Sequence, residues 1–389
     1  MAQSTVLRLR ATWLSVHKWI GICLAILIIP ISVTGAALVW DEPLDRLINP
    51  QRYDVTVVSP TWQRVMTPGE IPPSVYERSA RQALGADARI VSIRFPEGTG
   101  PIVVTAIGAD AQSGPPPRVN VWLDPNQLIR SPLGPDHYRA RVLDKAPANA
   151  GLLRVFHNLH GNLLVSGSAG RAIVGWVGVF MFVSCLTGIW LWWPIGGSFR
   201  RGFRWKRQNS TNANIHHLVG FWILLPLAML SFTGVWIAAP AMVGSQPPRP
   251  APPQPLARVS LSPDAALAAV RASVRGDRLT GITWPTDRAP QWKVAFERAG
   301  EIAVDDATGV ATAPQRGPGG GPQRSLMRRW HDGTGMGPVW QVLIFLGGLI
   351  PAILSVTGLV MWWRSRGWKK ALARKRKERG LTPAPQAAE

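Results

Sequence analysis

The chain has 389 residues, 46% of them apolar and only 17% charged, with 19 tryptophans and a formal net charge of +21. The placement of that charge speaks against a nucleic-acid partner: it crowds into 200–207 and 364–379, each run following a long apolar stretch, as cytoplasmic anchors of a membrane protein do. The two cysteines, Cys23 and Cys185, both lie in apolar stretches, and the absence of a C-x-x-C pair excludes a thiolate zinc site and a covalent haem attachment.

Four stretches reach the roughly 20 uncharged, mostly apolar residues that a spanning helix needs. The first, 19–40, closes a segment 1–40 that begins in the cytoplasm. It exits on Asp41-Glu42-Pro43 with no small-x-small cleavage site, so it is expected to stay as a helix. Region 41–170 follows outside, with a helix at 75–84 and strand-like runs at 89–95, 102–107 and 118–124, and it ends on a histidine-bearing helix. The second span lies at 172–195 within 171–195, a basic cytoplasmic loop at 196–215 follows, and the third span occupies 218–243 within 216–243. In the outer region 244–337, Ser262-Pro263-Asp264-Ala265 starts a helix with serine as N-cap and proline at N1. Strand-like runs follow at 280–284, 291–297 and 301–305, so each outer region reads as a helix on a small antiparallel sheet. The proline- and glycine-rich pieces at 244–255 and 314–322 read as linkers or mobile loops. The glycine run 317–321 follows no strand and opens no helix, which rules it out as a phosphate loop. The fourth span, 339–363 within 338–363, leads into a basic cytoplasmic tail, 364–389.

Lysine and arginine in the flanks set the orientation. Arg8, Arg10 and Lys18 precede the first span, Arg200, Arg201, Arg204, Lys206 and Arg207 join the second to the third, and the tail is densely basic. Both termini are therefore expected in the cytoplasm of a bacterium, with the protein in its inner membrane and both outer regions in the periplasm. The halves repeat. His17 and Thr34-Gly35 are matched 199 residues on by His216 and Thr233-Gly234. Thr187-Gly188 parallels Thr357-Gly358, with His160 standing 27 residues before the first and His331 standing 26 before the second. The expected fold is a mainly α membrane protein of four transmembrane helices, arranged as two parallel tandem repeats, each with a periplasmic α+β insertion.

Six of the seven histidines, His17, His157, His160, His216, His217 and His331, cluster at span edges, while His137 reads as a surface residue. A single interfacial histidine means little; four at duplicated positions, two expected at each membrane face, ask for a shared role. Facing imidazoles without thiolate or carboxylate companions suit haem, which supplies four nitrogens itself, better than zinc, which wants four protein ligands. The glycines Gly21, Gly35, Gly175, Gly178, Gly188, Gly220, Gly234 and Gly358 leave room either for a macrocycle or for close helix packing. Lys18, Arg154, Arg171, Arg328 and Arg329 could meet haem propionates, and topology anchoring explains them equally well.

At these residues the sequence resembles the PepSY-associated transmembrane helix family. The resemblance is carried by His17-x-Trp19-Ile20-Gly21 with Thr34-Gly35, and by Phe156-His157-x-x-His160-Gly161 with Gly170-Arg171 and Thr187-Gly188. It continues with His216 to Gly220, Pro226 and Thr233-Gly234, and with Trp330-His331, Thr357-Gly358 and Trp362-Trp363-Arg364. It covers nearly the whole chain, and the outer regions look like PepSY modules. It implies b-type haem, one or two per chain, held by His17, His216, His160 and His331 as axial ligands, with His157 and His217 as alternates and Arg171 and Arg329 near the cofactor. It further implies reduction of a ferric siderophore in the periplasm to release ferrous iron. With no nucleotide fingerprint in the chain, the electron donor is expected to be a quinol or a cytoplasmic reductase. Two other readings stand beside this one: a membrane-anchored PepSY protein that binds or regulates a partner without redox activity, and a siderophore transport component. Spans without internal charges and a bundle of only four helices speak against transport.

Overall fold

The computed structural model describes residues 2–56, 71–96, 98–108, 118–130, 138–194, 199–205, 210–244, 252–312 and 326–378. The piece at 314–322, most of that at 244–255, and His137, Lys206 and Arg207 lie outside the described residues. In chain order the first half forms α1 (Ala2–Leu38), α2 (Asp41–Ile48), α3 (Pro73–Leu84), β1 (Arg89–Arg94), β2 (Ile102–Ile107), β3 (Arg118–Arg130), β4 (Tyr138–Pro147), α4 (Leu152–Asn162) and α5 (Ala169–Trp192). The second half forms α6 (Thr211–Met242), α7 (Pro263–Arg271), β5 (Leu279–Thr283), β6 (Gln291–Phe296), β7 (Gly300–Asp305), α8 (Leu326–Asp332) and α9 (Pro338–Glu378). These elements make two compact units, one helical (Met1–Asp41, Val155–Gln246, Arg324–Glu389) and one built on a sheet (Glu42–Arg154, Pro247–Gln323).

In the helical unit, α1, α5, α6 and α9 carry stretches long and apolar enough to cross a membrane: Thr5–Leu38, Ala169–Trp192, Thr211–Met242 and Pro338–Gly367. Hydropathy found the centre of each span and missed its ends. The flanking Leu, Arg, Lys and Trp residues keep the backbone helical, so α1 takes in Arg8, Arg10, His17 and Lys18, and α9 runs on into the basic tail. α1 packs against α5 and α9, and α6 packs against the same two, which leaves α1 and α6 on the diagonal of the bundle. Glycine sets the closest approaches. A Cβ on Gly178 would stand 2.9 Å from Val235, and one on Gly348 would stand 3.0 Å from the backbone nitrogen of Ala36.

In the sheet unit, the two small sheets expected from sequence are a single one. Seven strands run antiparallel in the order β4-β3-β2-β1-β5-β6-β7, with Ile93 opposite Ile282 at the central β1–β5 pair. The physical reason is edge protection: β1 and β5 would each present an unpaired edge, and pairing them removes both. α3 and α7 pack on this sheet, and the Ser74 backbone N–H donates to Asp264 Oδ1 (2.9 Å), tying the two helix starts together. Tyr76, Ile90, Ile93, Val104 and Leu123 from the first segment share one core with Val270, Ile282, Trp292, Val294 and Val304 from the second. Two carboxylates are buried beside that core, Asp124 at the end of the β3 core run and Asp306 just past β7.

Candidate functional site

Threonine in a helix satisfies its hydroxyl by donating to a carbonyl three or four residues back. All four Thr-Gly steps do so. Thr187 Oγ1 donates to Ser184 O (3.0 Å) and Thr357 Oγ1 to Leu354 O (3.0 Å). Thr34 Oγ1 donates to Pro30 O (2.6 Å) and Ile31 O (3.2 Å), and Thr233 Oγ1 to Met229 O (2.8 Å) and Leu230 O (3.1 Å). The glycine that follows each threonine leaves a notch on the helix surface, and in each notch lies a histidine ring. A Cβ would stand 3.5 Å from His17 at Gly188, 3.7 Å from His216 at Gly358, 3.2 Å from His331 at Gly234, and 2.5 Å from His160 at Gly35.

The rings are held through Nδ1. His17 Nδ1 lies 3.0 Å from Thr187 Oγ1, His216 Nδ1 3.2 Å from Thr357 Oγ1, and His331 Nδ1 3.0 Å from Thr233 Oγ1. His160 Nδ1 lies 2.9 Å from the carbonyl oxygen of Ile31. So anchored, the four rings form two pairs. His17 on α1 faces His216 on the diagonal helix α6 with ring centres 6.3 Å apart, and His160 on α4 faces His331 on α8 at 6.0 Å. Two metal–imidazole bonds of about 2 Å each, plus the ring radii, give roughly 6 Å between centres, so each gap has the width of one ligated metal.

Around the first pair is a cavity of about 770 Å³, within the range of small-molecule and cofactor sites. Gly21 and Gly220, one helical turn beyond His17 and His216, both line it, and nothing lies within 4 Å of where their Cβ atoms would be. Its lining carries the cations Arg10 and Lys18 and no carboxylate. Arg10 also donates to the last carbonyls of α5, reaching Trp193 O at 2.9 Å and Leu191 O. Counting 18 residues from His17 to Gly35 and from His216 to Gly234, the pairs lie about 27 Å apart along the bundle at 1.5 Å per residue, close to the hydrocarbon thickness of a bilayer.

The other sequence-predicted site residues lie elsewhere. His217 turns toward the 199–203 turn, with Nε2 3.1 Å from Gly202 O and its ring stacked on Trp192. His157 is exposed on α4, three residues from His160. Arg171 sits half-buried in the first turn of α5. Arg329 is exposed on α8, its Nη2 donating to Gly335 O (3.4 Å). Among the described residues, no three or more His, Cys, Asp or Glu side chains gather as a metal cluster; the histidine pairs offer two ligands each. The four threonines were visible in the sequence as repeat landmarks, but the part of Thr187, Thr357 and Thr233 as histidine partners was missed, as was Arg10 at the cavity. The available signal was the joint recurrence of four Thr-Gly steps and four histidines.

Residues 14–365 match the family model described as the PepSY-associated TM region. No curated protein matches the chain. With its four spanning helices and separate antiparallel sheet, the chain is a membrane protein with a PepSY-like insertion.

Proposed function

The chain belongs to the family of the PepSY-associated TM region, and from that premise we propose that it is an inner-membrane electron-transfer protein. In this reading it holds b-type haem between His17 and His216 and a second haem between His160 and His331, and it delivers electrons to a ferric siderophore in the periplasm. The observation that carries the reading is the pairing itself: two imidazoles face each other across a gap one ligated metal wide, twice. The cavity at the first pair supports the fit, because Gly21 and Gly220 keep the space beside each ligand clear and Arg10 and Lys18 supply cations for two propionates. Held there by two histidines, haem would supply a one-electron couple, which suits electron transfer rather than oxygen or substrate binding.

The basic flanks support an orientation with both termini in the cytoplasm, the His17 pair on the cytoplasmic side and the His160 pair on the periplasmic side. The recurring contact of histidine with Thr-Gly in each half supports the reading of two parallel tandem repeats, with the histidine pairs meeting between them. The electron donor is an external quinol or cytoplasmic reductase. The acceptor is the chelated ferric ion, which gains one electron and leaves as ferrous iron because hard oxygen chelators hold the reduced ion far less tightly.

The test is an absorption spectrum of the detergent-purified protein, oxidised and then dithionite-reduced, with haem quantified per chain. A low-spin b-type spectrum that weakens in both His17→Ala and His216→Ala is expected, followed by reoxidation of the reduced protein on adding ferric siderophore. A colourless protein from haem-replete cells refutes the reading.

A further inference from the structure

All four histidines have their Nδ1 committed, and the direction of each hydrogen bond can be worked out. The hydroxyls of Thr187, Thr357 and Thr233 each have a helix carbonyl of their own to donate to. With its proton on the carbonyl, each of these oxygens accepts from the histidine that touches it; in that arrangement Nδ1 of His216 and His331 carries the proton, as does Nδ1 of His17, which Ser184 Oγ also approaches at 3.3 Å. At His160 the partner is the Ile31 carbonyl, an obligate acceptor, and Nδ1 again carries the proton. A neutral imidazole has one ring proton, so in all four rings Nε2 keeps its lone pair. The contact of histidine Nδ1 with a threonine hydroxyl thus recurs on three helices, α5, α6 and α9.

We propose that the four Thr-Gly steps are positioning elements: Thr187, Thr357 and Thr233, and at His160 the Ile31 carbonyl that Thr34 also donates to, hold each histidine in the Nδ1–H form, the glycine notch fixes the ring's tilt, and together they present Nε2 as the metal ligand. Thr187, Thr233 and Thr357 are positioning residues in this scheme, acting on the metal only through the imidazole. A hydrogen bond accepted from Nδ1–H makes the ring a stronger donor to the metal and favours the ferric state. The inference rests on the proposed haem reading and adds to it the groups that orient the ligands and set the potential.

The discriminating pair of variants is Thr357→Val, which is nearly the same size and lacks the acceptor, and Thr357→Ser, which keeps it. Two readouts separate this inference from its parent. In haem-free protein labelled with 15N-histidine, wild type and Thr357→Ser are expected to show the His216 Nδ1–H form, and Thr357→Val a shifted or exchanging signal. In the haem-loaded protein, Thr357→Val is expected to keep its haem, to raise the midpoint potential of the His17–His216 site and to lower haem affinity by about 10- to 100-fold, the usual cost of losing such an outer partner. Thr357→Ser should restore both. Indistinguishable 15N signals and potentials in wild type and Thr357→Val overturn the inference and leave the haem reading standing. Haem-free wild-type protein overturns the haem reading, and an Nε2–H form of His216 in that same protein overturns this inference on its own terms.

Discussion

Gly21 and Gly220 occupy the same place relative to His17 and His216, one turn along the helix, both line the cavity, and a Cβ built at either meets nothing within 4 Å. A leucine at either position would therefore grow into the cavity rather than into a neighbouring helix. Gly21→Leu and Gly220→Leu are expected to insert and accumulate as wild type and to lose the haem of the His17 pair, measured as haem per purified chain. Full haem content in both variants would mean that the cavity is not the cofactor's seat. Gly35 is the contrasting case. Its Cβ would stand 2.5 Å from His160 Cε1 and 2.7 Å from Nδ1, so Gly35→Ala must push the ring off the Ile31 carbonyl. The loss expected there falls on the His160 pair, with the spectrum of the other site unchanged. Sequence named the four facing histidines through their recurrence, and the resemblance gave them a role. Sequence left His157 and His217 open as alternates, because adjacent or near-adjacent histidines differ only in which helix face they occupy. Packing separates the two faces, turning His217 onto Trp192 and Gly202 while His216 faces His17.

At the scale of elements, the sheet unit hangs on two buried carboxylates. Burial alone would raise the pKa of Asp306, but N–H groups of Ser260 (2.8 Å), Trp292 (2.7 Å) and Leu261 (3.2 Å) donate to it and hold it below the ordinary range. Asp124 is the same: burial opposes ionisation, and donors from Thr56 and Asn126 with the Arg141 guanidinium outweigh it. A native pKa below the unfolded value of about 3.9 means the stabilisation is fully present above that value and is lost as pH falls through the lowered native pKa. Followed by tryptophan fluorescence in detergent, the sheet unit is expected to hold at neutral pH and to lose stability below about pH 4. Asp306→Asn should cost about 1–3 kcal/mol at neutral pH, because an amide nitrogen then faces donors, and should flatten the acid dependence. An acid profile identical to wild type would remove Asp306 from that role. The strands at 102–107, 291–296 and 300–305 were legible from alternation and turn residues. The joining of β1 to β5 was not, since the partners lie 189 residues apart from Ile93 to Ile282 and no local pattern specifies a distant edge. β4 was also missed: its alternation is short, Tyr138, Ala140 and Val142 against Arg139 and Arg141, before the charged stretch at Asp144 and Lys145, and β3 offers it an edge.

Over the whole molecule, the two halves of the chain complete each other in both units. In the helical unit His17 and His160 from the first half face His216 and His331 from the second. In the sheet unit β1 from the first half pairs with β5 from the second, in the middle of the sheet. Neither half alone would own a complete histidine pair, and each would carry an open strand edge prone to aggregate. The chain cut between α5 and α6, and expressed as 1–208 and 209–389, is therefore expected to yield poorly and without haem when either piece is made alone. Co-expression should restore both haem and solubility in detergent, since every joining contact is non-covalent and the cut falls between the halves rather than within one. Haem bound by the first half alone at wild-type stoichiometry would show that His17 and His160 find their partners within that half or in a second copy of it. The diagonal pairing of α1 with α6 would then have no part in holding the cofactor. A haem signal that appears only when both pieces are present, and disappears again with His216→Ala in the second piece, ties the cofactor to the meeting of the halves.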